Sequence, residues 1–192
     1  MKLILASASP YRRELLSRLQ LPFDCVSADV DETPLPGEAP RALAIRLAAL
    51  KADTVLALHP DALVIGSDQV GTLDGVTPVG KPGTTERAQA QLRAASGRTM
   101  QFHTAFALRS HGHPPVDDCV DVSVRFRTLT DTDIAHYLAR EEALDCAGSA
   151  RCEGLGVSLL DAIQSDDPTA LIGLPLIRLA HHLRASGVDP LG

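Results

Sequence analysis

Residues 62–70 read Ala-Leu-Val-Ile-Gly-Ser-Asp-Gln-Val. An apolar strand runs into a small pair, Gly66-Ser67, and then meets a carboxylate, Asp68. A short apolar run of this kind marks a strand buried in a sheet. A charge beside it is costly unless a cation or hydrogen bonds meet it. The run therefore demands cover on both faces and partners for Asp68. At the tip of a strand, Asp68 reads as a metal ligand or general base, or more plainly as a cap.

The surrounding pattern supplies that cover. Residues 2–6, apolar from Leu3 to Ala6, predict a short buried strand. Ser9 then serves as an N-cap with Pro10 at the first helical position, and Leu15, Leu16 and Leu19 share one face of the helix. A second strand is expected over residues 25–28 and an acidic, proline-rich loop over 29–40. A long helix follows over 41–58, with Leu43, Leu47 and Leu50 as its stripe. Asp74-Gly75 and residues 80–83 read as turns, and residues 84–95 as a helix. Strands follow over 100–108 and 120–126, the latter alternating cleanly. Thr130 and Asp133 form a capping box for a helix to about residue 140. Residues 154–160 predict a strand and residues 174–185 a closing helix. Strands and helices alternate early and a hairpin comes late. That order predicts an α/β fold: an elongated mixed sheet flanked by helices, with two lobes around a central cleft. Residues 1–192 are expected to form one domain.

With only 3% aromatic residues and no Trp, the core must be aliphatic. The net charge of −6 argues against a surface that grips nucleic-acid backbones, although a local basic pocket for a small nucleotide is compatible with it. Cys25, Cys119, Cys146 and Cys152 form no C-x-x-C pair, and reduced thiols are expected. The apolar run after Lys2 is too short for a secretory signal, and no stretch is long enough to span a membrane. The expected compartment is the cytoplasm. The seven histidines show no metal-binding spacing, and neither a G-x-S-x-G elbow nor a Walker loop is present.

Three groups could carry chemistry. Ser7-Ala8-Ser9-Pro10-Tyr11-Arg12-Arg13 places hydroxyls and two arginines at a strand-to-helix junction, where free N–H groups and the helix dipole favour a phosphate. Its plain reading is a capped helix with solvated arginines. Glu32, in the acidic loop, could join Asp68 at a divalent metal, or be a solvated turn residue. Lys51 and Lys81 read individually as surface lysines, yet with the arginines they could neutralise a triphosphate.

Taken in order, Ser7-x-Ser9-Pro10-x-Arg12-Arg13, Asp31-Glu32, Lys51, Gly66-x-Asp68, Gly80-Lys81-Pro82 and Leu171-Ile-Gly-Leu-Pro175 resemble the motifs of the Maf-like nucleoside triphosphate pyrophosphatases over nearly the whole chain. The resemblance implies an inosine-triphosphate-pyrophosphatase-like fold and hydrolysis of a nucleoside triphosphate to monophosphate and pyrophosphate. It also implies a divalent cation, Mg²⁺ or Mn²⁺. Asp68 would be the proton acceptor. Ser9, Arg12, Arg13, Lys51 and Lys81 would hold phosphates, and Glu32 would join Asp68 at the metal. A homodimer is compatible with this picture, and neither nucleic acid nor a membrane is an expected partner.

Three positions mark branches of that family. The dTTP/UTP branch has Arg in place of Tyr11, Thr in place of Gln69 and Gln in place of Glu153. Tyr11, Gln69 and Glu153 look like the branch acting on 7-methyl-GTP, although that branch favours Trp where this chain has Tyr11. The chemistry agrees: 7-methylguanine is cationic, an aromatic face attracts a cation, and a carboxylate accepts the guanine N1–H and N2–H groups. Alternatives are another nucleotide, such as dTTP or UTP, or a non-catalytic regulator of cell division that binds nucleotide.

Overall fold

A computed structural model describes residues 2–192. Its frame is a six-stranded mixed sheet in the order β2-β1-β3-β4-β5-β6. The strands are β1 (Lys2–Ala6), β2 (Asp24–Cys25), β3 (Ala62–Thr72), β4 (Thr99–Arg109), β5 (Val116–Phe126) and β6 (Leu160–Gln164). The β2-β1-β3 side is parallel, and β3, β4, β5 and β6 pair antiparallel. The helices are α1 (Pro10–Ser17), α2 (Pro40–Leu58), α3 (Thr85–Ala95), α4 (Asp131–Leu138) and α5 (Leu176–Ala185). The mixed, helix-flanked sheet expected from the order of elements is what the chain forms.

The period of two along a strand decides which helix each residue meets. In β1 and β3, Ile4, Ala6, Ala62, Val64 and Val70 pack with Leu43, Leu47, Ala48 and Ala52 of α2. Their alternates, Leu3, Leu5, Leu63 and Ile65, pack with Leu15 and Leu16 of α1 and Leu179 and Leu183 of α5. A separate cluster joins Met100, Phe102, Val122 and Val124 to Leu92, Ile134 and Tyr137 under α3 and α4. Two lobes thus share one sheet. The cores are mostly aliphatic, but Phe102, Phe106, Phe126 and Tyr137 are buried in them as well, and all four cysteines are free. No helix among the described residues is long and apolar enough to cross a membrane.

Several local expectations hold. Ser9 caps α1, its Oγ accepting from the Arg12 N–H at 3.4 Å, with Pro10 in the first turn. Thr130 and Asp133 form the capping box of α4. Others are corrected. The β3 strand does not end at Asp68 but runs on to Thr72, with Asp68 paired to Ala105 in mid-strand. The polar residues there do not break the ladder because each finds a partner within the fold. The expected strand over 25–28 shrinks to Asp24–Cys25. Leu50 is exposed rather than part of the α2 stripe; the buried stripe passes through Ala48, Lys51 and Ala52 instead. Residues 80–83 form irregular coil rather than a turn. Residues 154–160 are not a strand. A 3₁₀ turn occupies Leu155–Leu159 and strand β6 begins only at Leu160. Gly156 lies against the Arg151 backbone, where a Cβ would be 2.5 Å from the Arg151 carbonyl oxygen, so the chain there folds back on itself instead of extending.

Candidate active site

The same alternation that builds the core aims the site. Gly66 and Asp68 share the α2 face of β3, whereas Ser67 and Gln69 face the opposite way. On the α2 side Gly66 lets the helix come unusually close: a Cβ would lie 2.8 Å from the Ala52 nitrogen and collide with the Ala48 carbonyl. That approach brings Lys51, on the same buried stripe of the helix, onto Asp68. Lys51 Nζ lies 2.6 Å from Asp68 Oδ1 and 2.6 Å from Glu32 Oε1. Lys51 is 7% exposed and Asp68 8%, so the expectation of a surface lysine is overturned. The ion pair is what allows either charge to be buried.

Burial alone would raise the Glu32 pKa, but the hydrogen bond and charge of Lys51, followed by Arg12 and Lys81, outweigh it and hold the carboxyl below its ordinary 4.5. A depressed carboxyl stabilises the fold fully above its ordinary pKa, and this is lost as pH falls through the lower folded-state value. The gap in melting temperature between wild type and Glu32→Gln is therefore expected to hold steady near neutrality and to close below about pH 4. A gap that persists unchanged to lower pH would disconnect Glu32 from Lys51.

On the other face, Ser67 Oγ lies 2.9 Å from the Ala105 carbonyl oxygen and 3.0 Å from that of Gly173, which share its single O–H. Arg12 Nε donates to the same Gly173 carbonyl at 2.9 Å. Gly173 adopts φ +124°, a conformation suited to glycine, and it is this that turns its carbonyl to both donors. Burial draws the Arg12 guanidinium below its usual pKa, while Asp68 and Glu32 act in the opposite direction. Arginine nevertheless stays charged.

Gln69 Nε2 lies 2.9 Å from Thr104 Oγ1 and 3.0 Å from the carbonyl oxygens of Ala170 and Leu171, three acceptors for its two N–H groups. Its amide nitrogen is thus committed to holding segment 170–171. Any effect of Gln69 on base choice must act through its carbonyl oxygen or through that segment.

A cleft of about 830 Å³ brings these elements together. Asp68, Lys51 and Glu32 line it with Ser9, Arg12 and Lys81, and Tyr11, Gln69 and Glu153 line it too. Arg13 does not. It is exposed on the other side of α1, beside a surface depression formed with Ser17, Phe23 and Cys25. Tyr11 and Arg12 take the cleft side of α1, Arg12 anchored there by Gly173, and the further rotation of about 100° per residue carries Arg13 round to the outer side. Tyr11 has the Arg151 guanidinium 5.3 Å from its ring centre. Glu153 Oε1 accepts from Arg151 Nε at 3.3 Å. Burial pushes the neighbouring Cys146 thiol up to about 11 and Cys152 up to about 12, so neither supplies a thiolate near neutrality.

Among the described residues, no three His, Cys, Asp or Glu side chains converge in a metal-binding group. Glu32 and Asp68 do converge as a pair, with the Lys51 ammonium between them. Two hard oxygen donors suit a divalent cation that completes its shell with water and phosphate. Ser67, Thr104, Gly173 and Arg151 carry no individual signal in the sequence. Gly173 comes nearest, as part of the Leu171-Ile-Gly-Leu-Pro175 motif, and that motif does not reveal the role of its carbonyl.

The chain is similar to several known proteins. A 7-methyl-GTP pyrophosphatase from Bordetella pertussis is 60% identical over 190 residues, covering 99% of this chain and 94% of that protein. One from Xanthomonas axonopodis pv. citri is 59% identical, covering 97% of each. The solved structure of the Staphylococcus aureus Ham1 protein overlaps 66% of this chain and 72% of that chain, with a TM-score of 0.49 and 16% identity. Residues 2–186 match the family described as Maf-like protein, and the chain belongs to that family.

Proposed function

We propose that the protein hydrolyses 7-methyl-GTP to 7-methyl-GMP and pyrophosphate, removing a modified nucleotide. The observation that carries this reading is that Tyr11 and Glu153 line the same cleft as Asp68, Lys51 and Arg12. Cations suited to a triphosphate and side chains suited to a cationic guanine base are thereby neighbours in one cavity, which supports the reading. The names of the relatives from Bordetella and Xanthomonas favour the same substrate. The sheet running through both lobes supports treating the chain as one domain.

Asp68 has Oδ1 engaged by Lys51, which leaves Oδ2 to accept a proton from the attacking water. Arg12 spends Nε on Gly173, leaving its terminal nitrogens for phosphate oxygens. Lys81 and Ser9 extend that anion site along the cleft, and charge developing on the phosphates and on the pyrophosphate leaving group is stabilised there. Arg13, on the outer side of α1, has no part in it. Glu32 and Asp68 would hold a divalent cation, which when bound polarises phosphate oxygens. At the other end, the Tyr11 ring attracts the cationic base, and Glu153 accepts its N1–H and N2–H groups.

The direct test is pyrophosphate release from a panel of 7-methyl-GTP, GTP, dTTP and UTP, with and without Mg²⁺ or Mn²⁺. A preference for 7-methyl-GTP is expected, and equal or better turnover of UTP would overturn the assignment. Glu153→Gln is expected to lower the ratio of kcat/KM for 7-methyl-GTP over UTP by about 10- to 100-fold, the loss of a hydrogen bond to a charged group. An unchanged ratio removes Glu153 from base recognition.

A further inference from the structure

Tyr11 and Glu153 come from different parts of the chain. Tyr11 lies in α1, directly after the first strand, and Glu153 in the loop before β6. Both line the cleft, and what fixes their spacing lies just outside it. Arg151 is not among the cleft-lining residues, yet it touches both. Its guanidinium carbon is 5.3 Å from the Tyr11 ring centre, and its Nε is 3.3 Å from Glu153 Oε1. A third contact anchors it: Nη1 donates to Glu141 Oε1 at 3.0 Å. Glu141 is itself largely buried, with its side chain 11% exposed, and its second oxygen accepts from the Leu155 N–H at 2.6 Å. The Arg151 backbone is held as well, its N–H donating to the Tyr137 hydroxyl at 3.0 Å.

We infer that Arg151 is a positioning residue for base selection, joining the aromatic wall of the base site to its carboxylate wall. This rests on the reading of Tyr11 and Glu153 as the base-recognition pair. A planar guanidinium suits the task because it can stack on a ring with its face while its edge donates to carboxylates on two sides. The charge of Arg151 would by itself oppose a cationic base. Glu141 and Glu153 share that charge, however, and the three groups together carry one net negative charge. The dominant effect of Arg151 is then geometric: it holds the Glu153 carboxylate at a set distance from the ring. Without it, Glu153 and Tyr11 sample more rotamers, and the base must order both on binding.

The test compares wild type, Arg151→Ala and Arg151→Lys on 7-methyl-GTP, GTP and UTP, with melting temperatures measured in parallel. Arg151→Ala is expected to lose about tenfold in kcat/KM for 7-methyl-GTP, mostly through KM. UTP, whose base lacks the guanine N1–H and N2–H edge, is expected to change by no more than about threefold, and GTP, which presents that edge without the positive charge, by an intermediate amount; the tenfold figure is of the size of a cation–aromatic contact. Lysine keeps the charge and one contact at a time, so Arg151→Lys is expected to recover part of the loss. A merely structural role would lower the melting temperature and all three substrates together, and that result overturns the inference. So does a preference for 7-methyl-GTP that Arg151→Ala leaves unchanged or increases. If wild type itself shows no preference for 7-methyl-GTP, the proposed substrate fails and the role of Arg151 falls with it.

Discussion

Replacing Asp68 with Asn is expected to lower kcat by about a thousandfold, within the range of about 10²–10⁴ that a positioned general base supplies. The substitution keeps the shape of the side chain and an oxygen to accept from Lys51, but it removes the carboxylate that can take a proton. The fold should tolerate it. Lys51 has a second carboxylate, Glu32 Oε1, at 2.6 Å, so its buried charge is not orphaned, and the large penalty for breaking a buried pair is largely avoided. The measurement is pyrophosphate release at saturating nucleotide together with a thermal melt. A kcat within about tenfold of wild type would falsify the role of Asp68, since a general base supplies more than that. A collapse of the melting temperature would mean instead that the Lys51–Asp68 pair is chiefly a structural one.

How much of this site the sequence reveals depends on whether the signal is local. The cap at Ser9 and the capping box at Thr130 and Asp133 are short-range patterns, and both form as read. Asp68 is legible as a charge beside a buried strand, but its place in the strand is not. A run that turns polar at Ser67 looks finished, and only the partners supplied by Ala105, Gly173 and Lys51 let β3 continue. Lys51 misleads for a related reason. A lysine among alanines on a long helix is ordinarily solvated, and its burial depends on two carboxylates, Asp68 and Glu32, that lie far from it along the chain. Arg12 and Arg13 are indistinguishable as a dipeptide, and the rotation of α1 separates them. The 154–160 segment misleads because alternating glycines and apolar residues fit a strand, whereas Gly156 is there to let the chain pass close to Arg151. Arg151 itself carries no motif. Its place arises from contacts with α1 and with Glu141 that no spacing encodes.

Gly66→Ala is expected to be the most damaging single substitution to the fold that adds only one methyl group. Overpacking a core commonly costs about 1–3 kcal/mol, and more when nothing can move. Here the obstacles are the Ala48 carbonyl oxygen and the Ala52 nitrogen, backbone atoms fixed in the hydrogen-bond ladder of α2, together with the Ala52 methyl group at 2.9 Å. None can rotate aside as a long side chain would, so the strand and helix must separate. A cost of about 3 kcal/mol corresponds to a fall of about 6–12 °C in melting temperature for a chain of this size. The separation also withdraws Lys51 from Asp68, because the same helix face carries both the alanines and the lysine. Activity should therefore fall even in the fraction that remains folded. Gly112→Ala is the control: it lies in the turn between β4 and β5, where a Cβ would meet nothing within 4 Å, and little change is expected. If Gly66→Ala melts and turns over like Gly112→Ala, then α2 does not press on β3 as described, and the placement of Lys51 against Asp68 needs another cause.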